Sequence, residues 1–305
     1  MKKILFVGAT GYGNVGDEAY KIILGDHLKE AHYVHFDSPY PDIKLIKEFD
    51  FVIIGGGGLI YSDNTAHFDY MKMYMDEAIR QNKPYAFLSC GVQIHNYKHS
   101  DSEIDVINQA ANQIKNWKPY LDKALFITVR SELDRKIIES ITDNKNTFDF
   151  PDLVYLLKPS TYHLIEEGSI VFIPTNDSVK SEQFRFHLDR LKFDSRRKYF
   201  ISFSPEDNKI VEQYGLKLIN KGNFSYRLNL TPNEALSIVY DSDEIISGRF
   251  HGLLFAHMAM IEEVKVHNID NRYKSMNSTY KTNIPEHSCG HLFILSKFIN
   301  NEQKN

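Results

Sequence analysis

Short, continuously apolar runs of β-type residues alternate with helical stretches along this 305-residue chain, and that alternation restricts the fold more than any other feature. In the first half the runs are Ile4–Val7, Val34–Phe36, Phe51–Ile54, Tyr85–Leu88 and Leu125–Val129. Helical patterns separate several of them, at Glu18–Glu30, Phe68–Arg80, Ile104–Trp117 and Leu133–Ser140. A strand apolar on both faces must be covered on both, and the helices that connect parallel strands supply the cover. The pattern loosens around Pro151–Gly168, then resumes with runs at Ile170–Ile173, Tyr199–Phe203, Leu216–Ile219, Glu244–Ile246 and Val264–His267. Helices are expected there at Glu182–Leu191, Pro232–Tyr240 and Phe250–Met260, with Leu292–Ile299 a last helix docking back onto the body. The reading is an α/β protein of two Rossmann-like lobes with parallel sheets, residues 1–158 and 159–305, hinged near 155–168. Its length suits two domains of ordinary size.

Composition excludes several function classes. A net charge of -4 and a pI near 6.4 give no reason to expect nucleic acid as a partner, so any positive site must be local. Two cysteines, Cys90 and Cys289, have neither disulfide-framework nor zinc-pair spacing and suit a reducing compartment. The apolar run after Met1-Lys2-Lys3 is too short for a signal peptide and enters a glycine-rich turn, as a first buried strand would. No apolar stretch approaches ~20 residues, so a cytoplasmic location is expected.

Ligands of parallel sheets bind beyond the carboxyl ends of the strands, and four features sit there. Gly8–Gly16 follows the first strand, and glycines let a backbone turn tightly while the next helix offers N–H groups to an oxygen-rich ligand. Gly11, Gly13 and Gly16 give G-x-G-x-x-G only if Asp17–Glu18 opens the helix; those carboxylates suit the macrodipole but repel a pyrophosphate. Asp37 keeps a nucleotide reading open, a turn capped by Asp17 is the plain structural one, and a hydroxyl-rich acceptor with Asp17 as base suits the carboxylates better. Gly55–Gly58 follows the strand Phe51–Ile54, and four glycines imply a ligand or a backbone packed against a turn. In Ser247-Gly248-Arg249-Phe250-His251-Gly252, Arg249 and His251 fall at a helix start, where guanidinium and helix dipole add to make an anion pocket. His251 is the group there able to exchange a proton near neutral pH. Arg130, ending the strand Ala124–Val129, would be a second arginine on the same rim.

Together these features resemble the polysaccharide pyruvyltransferase family: Gly11-Tyr12-Gly13-Asn14-x-Gly16-Asp17-Glu18-Ala19, the Gly55–Gly58 run, Val129-Arg130-Ser131 and Ser247-Gly248-Arg249-x-His251-Gly252. Pro151-Asp152 looks like an altered form of a further family element, and Met260-Ile261-Glu262-Glu263-Val264 departs from the family's small, proline-containing turn. The resemblance implies a GT-B-like fold and transfer of the enolpyruvyl unit of phosphoenolpyruvate onto two sugar hydroxyls, leaving a pyruvate ketal. It implies that Arg130 and Arg249 hold the phosphate and carboxylate of phosphoenolpyruvate in an inter-lobe cleft, with His251 binding it and transferring a proton. Asp17 or Glu18 would be the base, and Gly11, Tyr12 and Asn14 would face the acceptor. Gly56, Gly57, Gly58 and Phe250 complete the expected binding residues, and Tyr12, Tyr61 and Phe250 are candidates to stack on a sugar ring. No metal or cofactor is expected beyond phosphoenolpyruvate as substrate; the partners are that donor and a saccharide acceptor, with room for peripheral contact with a lipid-linked glycan.

Other readings stay open. A nucleotide-sugar-dependent glycosyltransferase of the same fold would need a ribose-binding carboxylate, for which Glu234 or Glu206-Asp207 qualifies. A silent sugar-phosphate-binding protein and a nicotinamide-cofactor enzyme are further alternatives. His287-Ser288-Cys289-Gly290-His291 gathers three potential metal ligands at a spacing that matches no common zinc module. The Asn-x-Ser/Thr triplets at Asn223, Asn229 and Asn277 carry no meaning without secretion.

Overall fold

Strands and helices alternate through two parallel sheets in a computed structural model of the chain, which describes residues 2–28, 30–36, 43–93, 102–190, 193–218, 223–261, 263–266 and 284–301. Asp37, Asn277, Ile219 and His267 lie outside the described residues.

The first sheet has the order β2-β1-β3-β4-β5-β6, built from β1 (Ile4–Gly8), β2 (Ala31–His35), β3 (Phe51–Tyr61), β4 (Tyr85–Gln93), β5 (Ile127–Val129) and β6 (Thr147–Asp149). Every pairing is parallel. The strands read as apolar runs because both faces are covered: Leu5, Val7, Val52, Ile54 and Phe87 share one core with Met71, Met75 and Trp117. Those last side chains come from α2 (Ala66–Arg80), capped by Thr65, and the short turn after α3 (Glu103–Gln113), which is closed by the Ser102/Asp105 capping box. The second sheet has the order β11-β10-β7-β8-β9, from β7 (Ser169–Ile173), β8 (Lys198–Ile201), β9 (Phe224–Arg227), β10 (Ser242–Ser247) and β11 (Glu263–Val266), again all parallel. Phe172, Phe184, Phe200, Val211, Leu218 and Ile246 form its core.

Each sheet anchors a compact unit, and neither unit is one continuous stretch. The first comprises Met1–Gly11, Tyr20–Leu156 and Lys274–Asn305; the second comprises Tyr12–Ala19 and Leu157–Tyr273. The last long helix, Ile284–Asn301, therefore belongs with the first sheet, where Phe298 meets Phe126 and Gly290 rests on the Phe150 ring.

Local expectations fail where tertiary packing overrides a pattern. Gly55–Gly58 is not a turn: it lies inside β3, buried, with the strand pairing to β4 on both sides of a register shift between Gly57 and Ile60. A Cβ at Gly55 would stand 2.7 Å from the Leu88 carbonyl oxygen, and Gly56 and Gly57 have φ of +79° and +84°, so backbone shape and close packing account for the glycines. Leu216–Ile219 is not a strand, because Leu216–Leu218 ends a helix, Asn208–Leu218, that buries Val211, Gly215 and Leu218 at helical spacing. The first helix, α1 (Val15–Gly25), starts before Asp17 because Asn14 rather than Asp17 supplies the capping oxygen, accepting from the Gly16 N–H at 3.1 Å.

Candidate functional site

In the second unit, three loops leave the carboxyl end of the sheet: Thr175–Ser178 after β7, Ser204–Asp207 after β8, and Ser247–Arg249 after β10. The Gly248 N–H donates to the Ile173 carbonyl at 2.8 Å, and the Ser247 hydroxyl both donates to the Arg249 carbonyl and accepts the Arg249 N–H. This turn makes Arg249 the N-cap of the helix Phe250–Met258, placing Phe250 and His251 in its first turn. Gly252 fits because a Cβ there would meet Ser247 Oγ at 2.5 Å.

Arg249 does not stand bare. Its Nε and Nη2 bind Asp207 at 2.8 and 2.7 Å, and Nη2 also binds Glu206 Oε1. Burial alone would weaken the guanidinium's charge, but the Asp207 and Glu206 carboxylates more than offset this and raise its pKa. Burial likewise raises the pKa of Asp207 despite Arg249. In sequence, Glu206 and Asp207 stand out only as candidate ribose ligands. Their position directly after a strand, level with Arg249, was the available signal. Glu234 is engaged elsewhere: with Thr231 it forms the capping box of the helix Pro232–Tyr240.

The later part of the glycine loop, from Tyr12 on, belongs to this same unit. His251 lies flat against the start of α1, where a Cβ on Gly16 would fall 1.8–2.3 Å from its Nδ1, Cγ and Cε1 atoms. The Phe250 ring is 5.6 Å from the imidazole. Three amides around the start of α1 have protein partners: Val15 N–H donates to the Phe203 carbonyl at 2.8 Å, Gly16 N–H to Asn14, and, just before the helix, Gly13 N–H to Glu18 at 3.0 Å. These three N–H groups are therefore already engaged within the protein. Asp17 is half-buried in the first turn, while Gly11 and Tyr12 are exposed, Tyr12 at 58%.

Arg130 lies in the first unit, after β5, and is buried rather than offered to solvent. Its Nη1 binds Asp152 at 3.0 Å, the two side chains being 4% and 3% exposed. Asp152 also accepts from the Tyr20 hydroxyl at 2.6 Å and from the Val154 N–H at 3.0 Å. Burial opposes the charge of Arg130, but Asp152, Tyr20 and Asp134 hold it protonated, and burial together with Asp152 pushes the Tyr20 pKa well up. Gly91 lies against the guanidinium, which a Cβ would meet at 2.2 Å, and Gly56 packs on the Tyr20 ring. Gly57 and Gly58 continue β3.

Ser89 completes it. Buried in β4 with φ of +53°, a conformation costly for a non-glycine residue, it donates its N–H to Thr128 Oγ1 and accepts the Leu153 N–H. Thr128 in turn meets His291 Nδ1 at 2.8 Å, while His291 Nε2 meets the Pro151 carbonyl at 3.0 Å. Both ring nitrogens of His291 are therefore occupied, and Cys289 is exposed. Among the described residues no three His, Cys, Asp or Glu side chains converge as metal ligands. Tyr61 stacks on His67 at 4.5 Å, a packing role. No helix of the described residues is long and apolar enough to cross a membrane.

Two Rossmann-like α/β units with all-parallel sheets define a protein of the GT-B-like class. Solved structures share this fold at low sequence identity. UDP-GlcNAc 2-epimerase from Methanocaldococcus jannaschii, solved with UDP-GlcNAc and UDP, has a TM-score of 0.59 at 10% identity, covering 97% of this chain and 100% of that one. MnaA of S. aureus, solved with UDP, has a TM-score of 0.58 at 10% identity, covering 99% and 89%. HepE of Anabaena, solved with UDP and glucose, has a TM-score of 0.51 at 10% identity, covering 100% of each chain. No curated protein matches. The family model for polysaccharide pyruvyl transferase matches residues 14–261, from the glycine loop past the Arg249 turn, and the chain belongs to that family.

Proposed function

We propose that the protein transfers a pyruvyl unit from phosphoenolpyruvate to two hydroxyls of a sugar in a glycan or glycan precursor. The observation that carries this reading is the Ser247–Gly252 turn in a member of this family: it fixes a guanidinium and an imidazole at one helix start, with the imidazole against the acceptor-type glycine loop. Phosphoenolpyruvate concentrates up to three negative charges on few atoms, and guanidinium charge plus the dipole of the helix Phe250–Met258 offset its desolvation. Arg130 would be the second anion-binding arginine.

In the reaction the methylene carbon accepts a proton, for which His251 is the candidate acid. The resulting cationic C2 is attacked by one sugar hydroxyl. Expulsion of phosphate lets the second hydroxyl attack the same carbon. One hydroxyl proton balances the new methyl group and the other leaves with phosphate or with a base, for which Asp17 is the candidate. Glu18 is less suited because its carboxylate already accepts the Gly13 N–H.

Thermal melting with phosphoenolpyruvate tests this, since a ligand that binds only the native state raises the midpoint. The midpoint should rise in the wild type and not in Arg249→Ala, and His251→Ala should lower turnover more than affinity for phosphoenolpyruvate. Wild-type kinetics in either variant would sink the assignment. The fold neighbours solved with UDP support one second reading, a nucleotide-sugar-dependent transferase. A midpoint shift with UDP and none with phosphoenolpyruvate would favour it.

A further inference from the structure

The two carboxylates on Arg249 differ in a way that assigns them different tasks. Asp207 grips the Nε/Nη2 edge of the guanidinium with both oxygens, and its side chain is 1% exposed. It sits at the end of a tight turn, Pro205–Asp207, with the Asp207 N–H bonded to the Ser204 carbonyl and the Ser202 hydroxyl donating to the same carbonyl. Pro205 is packed beside Gly13 of the glycine loop. Asp207 cannot leave without stranding buried charge, which is expensive. Glu206 touches Nη2 through one oxygen, and its side chain is 51% exposed. Releasing it returns a carboxylate to water at little cost, because exposed ion pairs are weak.

We infer that Glu206 is a gate, a displaceable carboxylate that holds the anion position on Arg249 until the donor replaces it, while Asp207 remains as the positioning residue for the guanidinium. The inference rests on the reading of Arg249 as the donor's anion site. Two carboxylates on one guanidinium leave the cluster with a net negative charge, so an approaching anion is repelled until Glu206 departs. A weakly charged anion gains too little from Arg249 to displace it. A ligand carrying both phosphate and carboxylate gains more from the site, so it meets the displacement cost, which is common to all anions, with more affinity to spare.

Calorimetric titration of the full chain with phosphoenolpyruvate and, separately, with inorganic phosphate tests the idea in the wild type, Glu206→Gln and Arg249→Ala. Glu206→Gln should bind both anions up to about fivefold more tightly, the range set by exposed ion pairs. Both anions should gain, because the cost of displacing Glu206 is common to them. Arg249→Ala should bind neither. If Arg249→Ala abolishes binding while Glu206→Gln leaves it unchanged or weaker, Glu206 is no gate and the donor assignment stands. If phosphoenolpyruvate fails to bind the wild type but phosphate binds through Arg249 and tightens in Glu206→Gln, the gate stands and the donor assignment falls. Anion binding untouched by Arg249→Ala overturns both. Glu206 is exposed, so its variant should fold, and an unaltered melting midpoint without ligand checks that it does.

Discussion

Asp152→Asn isolates what the buried network of the first unit costs to break. The substitution keeps the shape of the side chain and an acceptor for the Tyr20 hydroxyl and the Val154 N–H, but removes the charge facing Arg130 Nη1 at 3.0 Å. With both partners 4% exposed or less, the guanidinium cannot turn to water for compensation. Stranding one member of such a pair costs about 3–5 kcal/mol. Asp134, which also favours the charged Arg130, puts the expected value at the lower end of that range. For a unit of this size each kcal/mol lowers the midpoint by roughly 2–4 °C, so the variant should melt roughly 10 °C below the wild type. Differential scanning calorimetry at pH 7.5 measures this directly. Adding Arg130→Met removes the stranded charge and should restore at least half of the loss. A drop under about 1 kcal/mol, or a double variant no more stable than Asp152→Asn, would refute the claim that this pair is buried and mutually dependent.

His291 predicts a pH dependence. Burial lowers its pKa to about 4, with Asp152 and the Pro151 carbonyl pulling the other way, so the folded protein holds the ring neutral while the unfolded chain takes up a proton near pH 6.5. Between those values the unfolded state binds more protons; this contribution is complete above pH 6.5 and fades as pH falls toward 4, by about 2 kcal/mol at pH 5. His291→Gln should flatten the fall in melting midpoint between pH 7.5 and 5, and an unchanged slope would show that another group governs it. Gly16→Ala places a methyl group 1.8–2.3 Å from the His251 ring, so the imidazole must swing away. Turnover should fall by at least about tenfold with the fold retained by circular dichroism, because misplaced catalytic groups lose rate steeply. Wild-type turnover in that variant would remove His251 from the chemistry.

The fold was legible because parallel strands buried on both faces leave an apolar signature, and nine of the eleven described strands needed little beyond it, whereas β6 and β9 went unread. What escaped had physical causes. Leu216–Leu218 is as apolar as a short strand, and only its phase with Val211 shows the helix. Gly55–Gly58 reads as a turn because positive-φ glycines usually mark one, whereas here they let β3 pass between the Leu88 carbonyl and the Phe6 and Tyr20 rings. Arg249 and His251 were readable from the strand-to-helix turn that carries them. Their partners were not, since Asp207 lies 42 positions away from Arg249 and Gly16 meets His251 only through the fold. The Tyr20–Asp152–Arg130 network was hidden for the same reason, and His291 looked like a metal ligand because sequence cannot show that Thr128 and Pro151 already occupy its ring.

One arrangement occurs in both units: an arginine just past the end of a parallel strand, held by an aspartate that is almost wholly buried. Arg130 follows β5 and is gripped by Asp152; Arg249 follows β10 and is gripped by Asp207. A guanidinium fixed in this way loses less conformational freedom when it meets an anion, and it stays charged under burial that would otherwise favour neutrality. The same carboxylate also cancels much of its long-range attraction. Such an arginine therefore contributes little to drawing in anions indiscriminately and more to orienting one that brings its own strong contacts. The difference in exposure then separates the two residues, since Arg249 keeps 21% of its side chain accessible and Arg130 only 4%. An anion can reach Arg249 by displacing Glu206, whereas reaching Arg130 requires the Tyr20–Asp152 network itself to open.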